Sequence, residues 1–525
     1  MKYAVMATLV VAVTLATAAL SREVAAAVPA SCESLSTLRL TDTTIKSSTS
    51  VSAGSFTPPG AAASAQPLML PAFCRVVAAT MPAVNFEVWL PLQNWNGKFQ
   101  GVGNGGTAGV IDYAAMAAAL NRGYATAGTD TGHVNKRGFD STWALGHPEL
   151  IADFGYRGLH VTTVNGKQIT RSFYDKQPDH SYYVGCSKGG QQGLMEAQRY
   201  PEDYDGLIAG DPANNWTRFY AGGHLWYALA TVRDPESYIP AGKVPLLAHA
   251  VNAACDELDG IADGVLNDPR KCKFDPAVLT CKAEQDPAGC FTPKQVKAMK
   301  DIWTGARDSS GQLIFPGLLP GGEAGPGGWA PWTTGTAPFT GNHWASADGF
   351  FKYMVFDNPN WDFRSFNYDA DVKLALNKVG QSLDAVDPNL QPLKQRGAKL
   401  IMYHGWSDPD ISPLNSINYY ESVVSLLGGK KSREQALNDT RDFFRLFMVP
   451  GMQHCRGGPG PSNFDMVSAL EQWVEHRVAP QQVLASHVTN GVIDRTRPLC
   501  PYPQVAEYKG TGSTDEAANF ICKGQ

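Results

Sequence analysis

The chain has 525 residues, a mass of 56.5 kDa and a formal net charge of −5, with 43% apolar and 18% charged residues. That length and apolar share support a large buried core and exclude a disordered chain. The mildly acidic balance, with no basic run, argues against nucleic acid as a partner.

The chain opens on Met1-Lys2 and an apolar run from Tyr3 to Leu20, followed by Ala25-Ala26-Ala27. A short basic start, an apolar stretch and a small-residue cleavage site read as a signal peptide over residues 1–27. The mature chain is then secreted or periplasmic, with no membrane attachment once the signal is removed. Ten cysteines follow. An even count in an exported chain predicts five disulfides. Sequence spacing suggests Cys32–Cys74, Cys255–Cys272, Cys281–Cys290 and Cys500–Cys522, which leaves Cys186 and Cys455.

From Val28 to Asn96 the chain reads as β-rich. Phe86–Pro91 alternates apolar and polar residues, the pattern of a half-buried strand. Lys98–Val102 is the next strand and runs into the loop Gly103-Asn104-Gly105-Gly106-Thr107. A helix follows over Ile111–Arg122, then a strand from Tyr124 that delivers Asp130 and His133 into a loop. That pair reads as structural, because better-placed acids and histidines come later. A second helix spans Phe154–Phe173.

Ser181–Val184 is a short strand, and Gly190–Tyr200 a helix stopped by Pro201. Between them lies Gly185-Cys186-Ser187-Lys188-Gly189, a Gly-x-Ser-x-Gly turn. Strand, tight turn and helix are the context in which such a serine is lifted clear of a sheet as a nucleophile. Tyr204–Pro212 is a further strand. Strands alternating with helices predict an α/β class fold with a mainly parallel sheet, that of an α/β hydrolase.

The texture changes over residues 214–393. Four cysteines, many aromatics and a Gly/Pro-rich stretch at 316–338 replace the alternation. This reads as an inserted lid domain between a first catalytic part, 28–213, and a second, 394–525. The second part resumes with the strand Lys399–Gly405 leading to Asp408, a helix over Ile417–Leu427, the strand Phe443–Val449 leading to His454, and a helix over Asn463–Arg477.

Ser187, Asp408 and His454 each follow a predicted strand, in the chain order of α/β-hydrolase triads. In that scheme the serine attacks an acyl carbonyl, the histidine moves its proton and the aspartate orients the imidazole. The backbone N–H of Lys188 and that of Gly105 or Gly106 are the candidate oxyanion donors. Asp410 is a rival to Asp408, and His404 reads as a pocket or structural histidine. Cys186 and Cys455 each adjoin a triad candidate, so a bridge between them would pin the serine turn to the histidine loop.

Gly185-Cys186-Ser187-Lys188-Gly189-Gly190, Gly405-Trp406-Ser407-Asp408 and His454-Cys455 resemble the signature of the tannase and feruloyl esterase family. The resemblance covers most of the mature chain. It implies an α/β-hydrolase core, a large lid and hydrolysis of small aromatic esters such as feruloyl or galloyl esters. Relatives also include mono(2-hydroxyethyl) terephthalate hydrolases, which gives a second substrate class. A non-catalytic binding protein on the same scaffold and a serine peptidase are the readings of other classes.

Cys255–Val265 carries closely spaced carboxylates between glycines, a pattern that suits a hard cation such as Ca²⁺. The candidate ligands are Asp256, Asp259 and Asp263 with the carbonyls of Ile261 and Val265. The family resemblance implies a structural calcium at matching positions. Trp329, Trp332, Trp344, Phe350, Phe351, Tyr353, Trp361 and Phe363 suggest an aromatic pocket, with Lys352 or Arg364 as partners for a substrate carboxylate.

Overall fold

The computed structural model describes Met1 and residues 31–62, 64–135 and 138–524. The signal peptide predicted over residues 1–27 lies outside the described residues, Met1 apart. No helix among the described residues is long and apolar enough to cross a membrane.

The molecule is organised by a nine-stranded sheet. Its strands are β1 (Thr43–Val51), β2 (Phe73–Thr80), β3 (Val84–Pro91), β4 (Lys98–Val102), β5 (Ala125–Thr129), β6 (His180–Cys186), β7 (Gly206–Gly210), β8 (Lys399–Gly405) and β9 (Phe444–Val449). They lie in the order β1-β2-β3-β5-β4-β6-β7-β8-β9. The first three pairings are antiparallel, and every pairing from β5–β4 onward is parallel. The parallel strands therefore deliver their following loops to one edge, where binding crevices of open α/β sheets form.

Alternate residues of these strands serve two cores. Tyr183, Leu207, Leu400, Met402 and Leu446 face one, with α2 (Gly158–Tyr174), α3 (Lys188–Arg199) and α4 (Pro413–Gly428) packed on it. Tyr182, Ile208, Ile401, Phe447 and Val449 face the other, covered by α1 (Tyr113–Asn121) and α5 (Met466–His476). Both faces are dry, which explains the near-continuous apolar runs of β7, β8 and β9.

β3 departs from the half-buried strand expected at Phe86–Pro91. Its polar member Glu87 is buried, because α1 and the hairpin of Gly54–Phe56 with Leu68–Leu70 cover that face. Arg75 Nε at 2.8 Å, Trp89 Nε1 at 2.8 Å and Tyr113 Oη at 3.0 Å donate to its carboxylate. The alternation is real, but its polar face holds a buried ion pair instead of water.

Between β7 and β8 the chain is built mainly from short helices. They build two hydrophobic clusters, one around Trp216, Phe219, Phe350 and Phe351 that also takes in Ile151 and Phe154 from before β6 and Ile411 from after β8, the other around Leu247, Met299, Ile302 and Trp329. Five disulfides are present: Cys32–Cys74, Cys186–Cys455, Cys255–Cys272, Cys281–Cys290 and Cys500–Cys522.

Candidate active site

Ser187 sits between β6 and α3 with φ 63° and ψ −119°, a conformation that non-glycine residues rarely hold. The turn is fixed from both sides. Ser187 N donates to Gly210 O at 2.9 Å, and Ala213 N donates back to Ser187 O at 3.2 Å. The chain passes so closely that a side chain at Gly185 would lie 2.6 Å from Gly189 O. One at Gly103 would lie 2.7 Å from Gly189 Cα. The motif glycines are therefore a packing requirement, and the loop after β4 is pressed against the elbow.

Lys188 opens α3 but turns its side chain away into the core. Its Nζ lies over the rings of Phe154 at 4.2 Å and Trp216 at 5.6 Å, and it donates to Gln191 Oε1. Burial holds this amine well below the ordinary lysine value. What Lys188 offers the elbow is its backbone N–H. In the β4 loop the two glycines differ: Gly106 is backed onto Gly138 O, whereas Gly105 borders open space. Asn104 N is taken by Gln192 Oε1 at 3.2 Å.

Asp408 and His454 come from the loops after β8 and β9. These loops are tied together by Trp406 N to Val449 O at 2.8 Å and Ser407 N to Met452 O at 3.0 Å. His454 Nδ1 lies 2.8 Å from Asp408 Oδ2. Asp408 Oδ1 accepts from Asp410 N at 2.8 Å and Ile411 N at 3.0 Å, so its orientation is set by backbone. Burial works against the charge of Asp408, but His454 and His404 outweigh it and hold the carboxyl below its usual range. Burial likewise opposes charge on His454, and Asp408 and Asp410 raise it above the ordinary imidazole value.

The Cys186–Cys455 bridge joins the residue before Ser187 to the residue after His454, with their Cα atoms 6.0 Å apart. It brings the serine and histidine loops together across a sequence separation of 269. Asp211 reinforces the same junction. It is fully buried after β7 and accepts from Gly405 N at 2.8 Å and Cys455 N at 3.1 Å. Burial pushes its carboxyl up to about 6. Sequence reasoning passed over Asp211, although an Asp-Pro directly after a core strand was a signal to weigh.

The other predicted residues are placed as follows. Asp130 and His133 do not pair. Asp130 accepts from Asn85 and Gly132, while His133 bonds Thr107 O at 2.8 Å and stacks on Trp143. His404 is buried beside Ser416 Oγ at 2.7 Å and Ile411 O at 3.0 Å, and 3.2 Å from Asp408 Oδ2. Of the aromatics between β7 and β8, Trp332 reaches the triad candidates, with its ring 5.4 Å from that of His454. Trp329, Phe350, Phe351 and Trp361 are core residues instead. Lys352 is paired with Asp348 and Arg364 with Asp362, so both cations have local partners.

In the acidic loop, Asp256 accepts from Gly264 N and Val265 N, Asp259 from Ile261 N and Asp263 from Val265 N. Arg497 also reaches Asp263 Oδ2 at 2.8 Å. Burial, then the charges of Asp263 and Asp256, push the Asp259 carboxyl up to about 6. The Cys255–Cys272 bridge closes the loop.

Residues 69–523 match the protein family described as tannase and feruloyl esterase. An uncharacterized esterase of Xanthomonas campestris pv. campestris is 42% identical, over 95% of this chain and 92% of its own. Feruloyl esterase B of Aspergillus niger is 33% identical, with 83% of each chain covered. The crystal structure of feruloyl esterase B from Aspergillus oryzae is similar with a TM-score of 0.84 and 29% identity, covering 94% of this chain and 99% of that one.

Proposed function

The chain belongs to the tannase and feruloyl esterase family and is a carboxylic ester hydrolase; from that premise we propose that it hydrolyses esters of phenolic acids, feruloyl or galloyl esters, through an acyl-enzyme on Ser187. The observation that carries this reading is the strained Ser187 elbow bridged through Cys186–Cys455 to a His454 bonded to Asp408.

In the acylation step Ser187 Oγ attacks the ester carbonyl carbon while His454 Nε2 takes the hydroxyl proton. The imidazolium is stabilised by Asp408 through Nδ1. The carbonyl oxygen gains negative charge and is met by the N–H of Lys188 at the start of α3 and by that of Gly105. Collapse expels the alcohol, which receives the proton from His454. Water then repeats the sequence against the acyl-enzyme, and the phenolic acid leaves.

Residues 214–393 act as a lid in this reading, and Trp332 is the ring that the acyl group stacks on. An aromatic pair contributes roughly 0.5–1.5 kcal/mol beyond its buried area. Trp332→Ala is therefore expected to raise KM for methyl ferulate about tenfold and to leave KM for p-nitrophenyl acetate nearly unchanged. Equal changes on both esters would remove Trp332 from the acyl pocket.

The 256–265 loop suits Ca²⁺ by its donor chemistry, three carboxylates and the Ile261 and Val265 carbonyls on a backbone that turns at Gly260 and Gly264. Asp263 would contribute while sharing its charge with two arginines, Arg497 at 2.8 Å and Arg495 at 3.6 Å from Oδ2. The ion would cross-link the loop and take no part in the chemistry. A ligand held only by the native state at 100 times its Kd adds about 2.7 kcal/mol. Chelation with EDTA is expected to lower the melting temperature, and calcium to restore it; an unchanged melting curve after full metal removal contradicts the site.

The substrate is tested by hydrolysis of methyl ferulate, methyl gallate, mono(2-hydroxyethyl) terephthalate and p-nitrophenyl acetate. A phenolic ester is expected to lead. Preference for the terephthalate half-ester would keep the mechanism and replace the substrate class. No hydrolysis of any of them would favour a binding protein or a peptidase. Export from the cytoplasm completes the proposal, supported by five disulfides in one chain.

A further inference from the structure

His454 is flanked by two carboxylates, not one. Asp408 Oδ2 lies 2.8 Å from Nδ1, and Asp410 Oδ2 lies 3.4 Å from Nε2. Asp410 is itself buried, and its other oxygen is bonded to His224 Nε2 at 2.6 Å. His224 Nδ1 in turn meets Ser346 Oγ at 2.5 Å. His343 Nε2 stands 3.5 Å from Asp410 Oδ1 and is buried without a hydrogen-bond partner. His224, His343 and Ser346 all belong to the segment between β7 and β8. A continuous polar chain thus runs from that segment through Asp410 to the triad.

A carboxylate is costly in so dry a site unless hydrogen-bond donors face it. Here those partners come from a part of the chain that contributes nothing to the sheet. The arrangement is therefore specific in two directions: Asp410 acts on His454, and the inserted segment decides where Asp410 points.

We propose that Asp410 is a second positioning carboxylate for the catalytic base, acting on the Nε2 side of His454, and that His224 of the inserted segment holds it in place. It stabilises the imidazolium formed when Nε2 takes the Ser187 proton, and the proton still passes to the leaving alcohol. This rests on the esterase reading above.

The sign of the effect follows from the groups around the pair. His454 is faced by Asp408 and Asp410 from the loop after β8, by Asp211 from the loop after β7 and by the Trp332 ring, while His404 from β8 meets the same Asp408 Oδ2 at 3.2 Å. Asp410 is faced by His224, His343, Tyr220 and Tyr227. Burial holds both phenols well above their ordinary value, so they stay neutral. Burial keeps His343 down at about 4, so near neutral pH it is uncharged and does not cancel Asp410. The Asp410 carboxylate beside Nε2 favours the protonated ring, and removing it lowers the pH at which His454 loses its proton.

The test is Asp410→Asn, with Asp410→Glu as the variant that restores the charge. The acid limb of the kcat/KM profile is expected to move down by about one to three units in Asp410→Asn and to return in Asp410→Glu. On the alkaline plateau kcat should fall about tenfold per unit lost. A merely structural Asp410 would lower activity and leave the limb in place. Independently of turnover, ¹⁵N-histidine NMR follows the His454 ring, assigned by its disappearance in His454→Gln. In the wild type its midpoint is expected above the ordinary value of about 6.5, and lower in Asp410→Asn. A wild-type midpoint at or below 6.5, or the same midpoint in both proteins, overturns the proposal whether or not an ester is cleaved. If no ester is cleaved but the midpoint moves, the esterase reading falls and the charge coupling stands.

Discussion

Ser187→Ala is expected to lose on the order of 10⁴–10⁶ in kcat on every ester that the wild type cleaves. The loss is that large because the elbow serves one atom. The backbone strain at φ 63°, the close approach of Gly103 to Gly189 and the free N–H groups at the start of α3 all converge on the Ser187 side chain. KM should change little, since the oxygen contributes almost nothing to holding the ground state. Steady-state kinetics on methyl ferulate, with the variant's melting curve as a check on folding, decide it. A loss below tenfold would mean that another group carries the acyl transfer.

Cys186→Ala with Cys455→Ala should act through geometry. The bridge spans a sequence separation of 269, for which chain-entropy reasoning sets a ceiling of about 5 kcal/mol. A displacement of about 1 Å between nucleophile and base costs roughly 10²-fold in rate. The double variant is therefore expected to lose about 10²-fold in kcat, with KM within a few-fold of wild type and a lower melting temperature. Asp211 limits the damage, because it still binds Cys455 N and Gly405 N. Cys281→Ala with Cys290→Ala is the control, a bridge with a sequence separation of 9 in the segment between β7 and β8. It should cost stability and leave kcat alone. Unchanged turnover in the Cys186/Cys455 variant would reduce that bridge to a staple.

The residues that were legible in the sequence are those whose neighbours in the chain carry the signal. Ser187 is read from a strand, two glycines and a helix that are consecutive, and Asp408 and His454 each lie in the loop that follows an apolar strand. The parallel core was legible for the same reason, since β7 to β9 are near-continuous apolar runs. Residues that act through contacts between distant segments were not. Asp410 drew notice only as a rival to Asp408, and its bond to His224, 186 positions away, is visible only once the chain is folded. Asp263 and Arg497 meet across 234. The aromatic residues of 214–393 were legible as aromatics but not as lining: most build the cores of that segment, and Trp332 is singled out only by its contact with His454. Glu87 makes the same point inside the sheet, where a strand's alternation cannot tell water from a buried arginine.

The central claim is that an acyl group passes through Ser187. Mass spectrometry of enzyme quenched within the first turnovers of a slowly deacylating phenolic ester measures that directly. The account predicts a mass gain equal to one feruloyl or galloyl group, on the peptide that contains Ser187, and none in Ser187→Ala. An adduct on a different residue, or steady turnover with no adduct at any quench time, would contradict it.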